Sequence, residues 1–225
     1  MEIHRKLLEV NPIFASLDED AVERLILLGY AKGYSAGEIV CMEGDPSVGL
    51  FICKSGWLKA AKVSPGGREQ IIRYFGPGET FNEAGSIAEA PVPATITALK
   101  DSEILMVPPD RLMPLLEHEA GIAAALCRML AERVRYLVSL VENLSLKSVE
   151  TRVAEYLLTA DDGGEVPRNE WLSHAELAAR LGTVPDVLGR VLKNLERAGL
   201  IRATRGTIRI LDPRGLNEKI DGESD

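Results

Sequence analysis

The sequence predicts an α+β chain: a barrel or sandwich of short strands, then a long amphipathic helix, then a small helical domain closed by a β-hairpin. Three observations predict it. Between Tyr34 and about Pro108, short β-rich runs alternate with glycine turns. From about Ala120 to Leu144, apolar residues recur at heptad spacing. From Ser173 to Leu211, two capped helical stretches joined at Gly182 precede a strand–turn–strand pattern.

Residues 1 to about 30 read as helical. Ser16-Leu17-Asp18-Glu19 has the spacing of a capping box and leads into Ala21, Leu25, Ile26 and Leu28. The strand candidates then run from Glu38 to Cys41, Gly49 to Cys53, Trp57 to Val63, Gln70 to Phe75, Ala94 to Leu99 and Glu103 to Val107. Gly44-Asp45-Pro46, Ser55-Gly56, Ser64-Pro65-Gly66-Gly67 and Gly76-Pro77-Gly78 separate them as turns. Many short strands at this spacing indicate a barrel or sandwich. A short helix follows from Asp110 to Leu116.

On the long helix, Cys127 and Leu130, Val134 and Leu137, and Val141 and Leu144 occupy a and d positions of three heptads. Three heptads suffice for a coiled-coil dimer contact. The other reading is a helix lying on its own barrel. Leu126 and Leu140 widen the stripe enough for both, one edge on the barrel and one on a partner helix. Arg128, Glu132, Arg133 and Arg135 fall off the seam.

The last domain starts near Leu146. Val149, Val153, Tyr156, Leu157 and Leu158 give it a first helix, and Trp171 is expected to plug the junction before the capped pair. Ser173 and Glu176 form an S-x-x-E box, and Leu177, Ala178 and Leu181 share one helix face. Gly182 permits a left-handed corner. Thr183 is expected to cap the second helix, whose first turn tolerates Pro185 because the missing amide has no helical partner there. Val187, Leu188, Val191, Leu192 and Leu195 form its apolar stripe; Asp186, Gly189, Arg190 and Lys193 are left on the other face. Leu200-Ile201 and the run from Ile208 to Leu211 flank the turn Thr204-Arg205-Gly206-Thr207 as a wing. The whole reads as a winged helix-turn-helix, a motif that lays its second helix in the DNA major groove. Capped helix pairs also occur in helical proteins that never touch DNA. The wing and the local charge favour DNA. Residues 171–212 hold seven Lys/Arg against four Asp/Glu, a local +3 in a chain of net charge −8.

Composition narrows the classes. With 225 residues and 46% hydrophobic content, the chain can hold two ordinary cores. No run is long and apolar enough for a membrane span, and no apolar signal region follows Met1 to Lys6, so a cytoplasmic setting without membrane partners is expected. Cys41, Cys53 and Cys127 are odd in number and widely spaced, which suggests neither a disulfide framework nor a metal clip. No nucleophile–base set, metal-ligand cluster or phosphate loop is found, so an enzyme is not expected.

Taken together, these parts resemble the CRP/FNR family of bacterial transcription regulators over about Ile13 to Leu216. The markers are Gly37-Glu38, Glu43-Gly44-Asp45, Phe51, Ser55-Gly56, Gly66 and Phe75-Gly76-Pro77-Gly78-Glu79, followed by the long helix and the winged helix-turn-helix in order. The resemblance implies an N-terminal β-roll (a jelly roll like that of cyclic-nucleotide-binding domains) over 1–118 that senses a small effector. It implies a dimerisation helix over 119–145, and a DNA-binding domain over 146–225. It further implies a homodimer on a two-fold operator, with recognition helices about 34–36 Å apart, and RNA polymerase as a partner. Whether transcription rises or falls stays open.

In such regulators an acidic residue and an arginine four positions later read base edges; Asp186 and Arg190 stand there. Arginine can donate two hydrogen bonds to guanine, and a carboxylate can accept from cytosine. Asp186 is one methylene shorter than the usual Glu and can instead brace Arg190. Gly189 precedes Arg190 as in CRP-like members. Thr183 and Lys193 are implied phosphate contacts, with Thr204 and Arg205 from the wing, and His174 lies at the surface of the first DNA helix.

The implied effector pocket comprises Gly78, Glu79, Phe81, Glu83, Pro93 and Ala94. Members that bind cyclic AMP carry an Arg-Ser or Arg-Thr pair where this chain has Pro93-Ala94, so cyclic AMP is disfavoured, since a buried phosphate needs a bidentate cation. A cyclic-nucleotide-responsive module remains the alternative. No cysteine precedes Cys41, which disfavours an iron–sulfur cluster. Phe75 to Ala84, Glu142 to Lys147 and Gly182 to Asp186 are similar to the regulators of dissimilatory nitrate respiration and of the hybrid-cluster protein, some of which are associated with haem and nitric oxide. That implies a nitrosative or redox signal. His4, His118 and His174 are the histidines available to a haem, and none falls in a recognised ligand motif. Cys127 on the seam is either a thiol sensor or a small hydrophobe.

Overall fold

The computed structural model describes residue 17 and residues 19–160, 163–167, 173–204 and 207–221. The expectations for His4, for the Ser16 cap and the helix before it, for Trp171 and for Arg205 lie outside the described residues. The chain divides into two compact units: Met1–Lys62 with Ile72–Tyr136, and Val63–Ile71 with Leu137–Asp225.

The first unit begins with α1 (Glu19–Leu27), whose Ala21, Val22 and Leu25 are buried. Two four-stranded antiparallel sheets follow. One has the order β1 (Tyr30–Tyr34), β8 (Ser102–Val107), β3 (Leu50–Ser55), β6 (Thr80–Phe81). The other has the order β2 (Ile39–Cys41), β7 (Thr95–Ala98), β4 (Leu58–Val63), β5 (Glu69–Phe75). The first four residues of β3 and of β4 are all buried, as central strands of a two-sheet roll require. The short helix α2 (Glu83–Ile87) leaves β6, and α3 (Pro109–His118) leads to the long helix α4 (Ala120–Leu146). Ile122, Ala125, Leu126 and Met129 on one face of α4 are buried. Ile122, Leu126 and Met129 cluster with Val22, Leu25, Leu50 and Leu112.

Tyr30–Tyr34 corrects the sequence reading, which carried the helix to about residue 30. This stretch is β1, paired antiparallel with Ser102 to Met106. Four of its five residues are exposed, so it shows no alternation to read; backbone pairing to β8 makes the strand.

The second unit holds α5 (Val149–Thr159), β9 (Glu165–Pro167), α6 (His174–Arg180), α7 (Pro185–Arg197), β10 (Ile201–Ala203), β11 (Thr207–Ile210) and α8 (Pro213–Asp221). Its core joins Val153, Leu157, Leu177, Leu188, Leu192 and Ile208. The wing is three-stranded, β10-β11-β9, because Glu165 to Pro167 pairs with β11. The sequence reading passed over α8; there Pro213 opens the helix and Leu216 is fully buried in the core.

Candidate functional site

The candidate surface is built on two helix starts. Ser173 Oγ accepts from the Glu176 amide at 3.1 Å and caps α6. Gly182 sits at φ +65°, the left-handed corner between α6 and α7, and a Cβ added there would overlap Leu144 Cδ2. The N-cap of α7 is Val184, with Pro185 in the first turn and no side-chain cap. Thr183 therefore does not cap α7. Its amide donates to Ala178 O at 2.9 Å and the residue is 9% exposed, so it is not part of the open face either.

On α7, Leu188, Leu192 and Leu195 are buried. Asp186, Arg190 and Lys193 are exposed and Gly189 is half-buried. With His174 and Pro185 they line one cleft of about 560 Å³. The His174 ring lies beside the helix start, its Nε2 3.1 Å from the Pro185 carbonyl. A carbonyl only accepts, so Nε2 carries the proton in that contact. Thr204 is exposed, but its hydroxyl donates to Thr207 O at 2.9 Å and so closes the wing turn. Two other basic residues are engaged inside the unit. Arg209 pairs with Glu165 at 2.5 Å, and Arg180 lies 5.0 Å from the Tyr156 ring centroid.

In the first unit, the implied effector residues cluster only in part. Phe81 stacks on Phe51 with centroids 4.9 Å apart and packs against Phe75 at 5.2 Å. Glu79 accepts from Arg73 at 2.6 Å and from the Gly76 amide at 2.8 Å. Glu83 is buried and accepts from Thr80 Oγ1 at 2.6 Å. The Gly78 amide donates to Cys53 O and holds a turn. Ala94 is buried with the phenylalanines, whereas Pro93 points to solvent.

Two guanidinium groups that the sequence reading passed over complete the cluster. Arg133, from α4, donates to Thr80 O at 2.7 Å and lies 3.4 Å from Glu83. Arg73, from β5, keeps a buried Nε without a hydrogen-bond partner. The two cations flank one ring, 5.8 Å (Arg73) and 5.3 Å (Arg133) from the Phe75 centroid. Arg133 falls four residues after Met129 and seven after Leu126, the spacing of the buried face of α4, and that was the available signal.

A haem would need axial ligands facing a slot in this unit. His118, the histidine among its described residues, is exposed at the end of α3 with Nδ1 2.7 Å from Pro114 O. Three phenylalanine rings fill the interior. These residues do not fit a haem. No group of three or more His, Cys, Asp or Glu among the described residues is arranged to hold a metal ion.

On α4, Val134, Leu137, Val138 and Val141 are exposed at 60, 44, 61 and 62%. Val138 lies outside the a and d positions of the heptad pattern. Cys127 is exposed as well, while Leu130 and Leu144 are half-buried. No helix among the described residues is long and apolar enough to cross a membrane.

Comparison with known proteins adds independent findings. A cyclic nucleotide-binding domain model matches residues 31–119, and a Crp-like helix-turn-helix domain model matches residues 151–219. The chain is 28% identical to the Cyclic AMP receptor protein of Thermus thermophilus, over 92% of this chain and 96% of that one. It is 27% identical to the transcriptional activator protein FnrA of Stutzerimonas stutzeri, over 92% and 86%. The solved structure of the c-di-GMP responsive global regulator CLP of Xanthomonas campestris superposes with a TM-score of 0.76 at 25% identity, covering 86% of this chain and 99% of that one.

Proposed function

The chain belongs to the CRP/FNR family of transcription regulators, and from that premise we propose that it works as a homodimer on a two-fold symmetric operator, switched by a small anionic effector held in the β-roll. The cleft along α7 carries the proposal. Arg190, Lys193 and Asp186 share the open face of a helix whose other face is buried, with His174 of α6 beside them. Arg190 reads a guanine edge with Asp186 bracing or accepting from cytosine, and Lys193 contacts phosphate.

Dimerisation is supported by the four exposed apolar residues of α4. Their spacing of three and four residues makes one stripe that a second copy of the helix covers. RNA polymerase is the partner on the DNA, by analogy with the activator FnrA. The effector is anionic because Arg73 and Arg133 converge on one aromatic ring, where an anion competes with Glu79 and Glu83 for the two guanidinium groups. Relatives named for cyclic AMP and c-di-GMP take anions too. With Pro93 exposed, the anion is held from β5 and α4, an arrangement that favours an anion other than cyclic AMP. The effector acts by favouring the DNA-competent population of the dimer.

The test is duplex selection from a random pool, followed by anisotropy titration. We expect a palindromic site with half-sites about one turn apart, bound by a dimer with a steep salt dependence. A monomer that enriches no duplex overturns the reading. Calorimetry with cyclic AMP and cyclic di-GMP tests the effector, and strong cyclic AMP binding that survives Arg133→Ala defeats the two-arginine site.

A further inference from the structure

His174 opens α6, yet its ring belongs to the surface of α7. Its Nε2 lies 3.1 Å from the carbonyl of Pro185, the first residue of α7. A Cβ added at Gly189 would stand 3.6 Å from the same nitrogen, so the ring rests against the stretch of α7 that carries no side chain. His174 is half-buried there and lines the cleft with Asp186, Arg190 and Lys193. On α6 itself, Glu176 stands two positions along and so on the other side of the helix, and Arg180 lies over the Tyr156 ring. The charged groups that share the cleft with the imidazole are therefore one carboxylate and two cations, all from α7.

The Pro185 contact decides what the ring can do next. A carbonyl only accepts, so Nε2 holds a proton in that contact, and in the neutral ring Nδ1 is a bare acceptor. A phosphate oxygen also only accepts. Nδ1 can meet one only after taking a second proton, and the ring is then an imidazolium able to make a charge-assisted hydrogen bond. Position favours a phosphate over a base edge. In a helix-turn-helix the second helix enters the groove while the first crosses the backbone, and His174 stands on the first.

We propose that His174 is a proton-coupled DNA contact: each subunit takes one proton from solvent as it binds, and Nδ1–H donates to a backbone phosphate. The inference rests on the reading of α7 as the DNA-facing helix. The negative phosphate favours the charged ring, and by linkage the proton favours the phosphate. Affinity is therefore highest at low pH and falls as pH rises through the range in which histidines lose their charge.

The experiment uses the full-length protein and the palindromic duplex from the selection above. Calorimetry at pH 7 in phosphate and in Tris, buffers with different heats of ionisation, counts the protons taken up. The expected result is net uptake of up to one proton per subunit, with affinity by anisotropy about tenfold higher at pH 6 than at pH 8. His174→Gln keeps a donor for the Pro185 carbonyl but cannot gain a charge. It should take up no proton and bind equally at both pH values. A second measurement needs no variant and carries the test if His174→Gln fails to fold: neutral methylphosphonates scanned along each half-site should remove the uptake at one backbone position. The proposal is overturned if the parent protein binds its duplex without proton uptake, if His174→Gln takes up as many protons as the parent, or if no methylphosphonate removes the uptake. Those outcomes leave base reading by Arg190 standing. A protein that binds no duplex at any pH overturns both.

Discussion

Arg133 on the long helix α4 lies 3.4 Å from the carboxylate of Glu83 on the short helix α2, and both side chains are largely shielded, at 18% and 8% exposure. The contact joins two helices of the β-roll unit through a charge pair that Thr80 braces, its carbonyl accepting from Arg133 and its hydroxyl donating to Glu83. Removing one partner leaves the other charge shielded and uncompensated. Arg133→Ala is expected to lower the stability of this unit by about 2–3 kcal/mol, and Arg133→Ala with Glu83→Gln to recover part of it. Urea denaturation followed by circular dichroism measures both. Equal losses in the single and double variants would show that the pair is not the cause.

Gly182 tests the corner of the DNA-binding unit. Alanine there must adopt φ near +65° and find room beside Leu144. Gly182→Ala should cost about 2 kcal/mol or more, since the left-handed penalty and the overlap act together. A melting temperature unchanged from the parent protein would contradict the geometry.

The two cations of α7 should separate by role. Arg190→Ala is expected to cost about 1–3 kcal/mol on the preferred operator and to relax base preference at one position per half-site. Lys193→Ala should weaken all duplexes alike and lower the slope of log affinity against log salt by about one. Anisotropy titrations at several salt concentrations read both, and exchanged phenotypes would sink the assignment.

Val138 lies at the centre of the exposed α4 stripe, 61% exposed in the single chain. Val138→Glu should convert the dimer to a monomer without unfolding either unit, because no core contact is lost. Analytical ultracentrifugation checks this. A dimer that persists at micromolar concentration places the interface elsewhere.

The cysteines should differ in reactivity. Burial pushes the Cys41 thiol up from 9.0 to about 12, Asp45 adding to the rise and a backbone hydrogen bond from Ile96 opposing it. At pH 8 its thiolate fraction is about one in ten thousand, so it should react with an aromatic disulfide reagent far more slowly in the folded protein than in the unfolded one. The unfolded thiol ionises first, so the stability that Cys41 contributes is complete below pH 9 and is lost as pH rises towards 12. Cys127 is exposed in the single chain and should react at once in the Val138→Glu variant, but slowly in the dimer. Mass spectrometry of labelled peptides distinguishes the sites; rapid labelling of Cys41 in the folded protein would contradict the raised thiol pKa.

Most of the architecture was legible because local signals repeat what the fold requires. Heptad spacing gave α4, Ser173 and Gly182 gave the bounds of α6, and alternating short runs gave six of the β-roll strands. Five residues assigned to DNA, His174, Asp186, Gly189, Arg190 and Lys193, line one cleft because they are the polar face of one amphipathic helix and its neighbour. Periodicity along a chain reports that kind of proximity directly.

What sequence periodicity could not report was decided by tertiary structure. β1 forms through backbone pairing with β8, so its exposed side chains carry no pattern. Thr183 is buried and Val184 takes the cap, because the corner at Gly182 sets where α7 begins. Arg73 and Arg133 stand sixty residues apart and meet on Phe75 only when β5 and α4 fold into the same unit. Contacts within a helix or turn are written in spacing; contacts between distant segments depend on how buried faces pack, and only the folded chain fixes that.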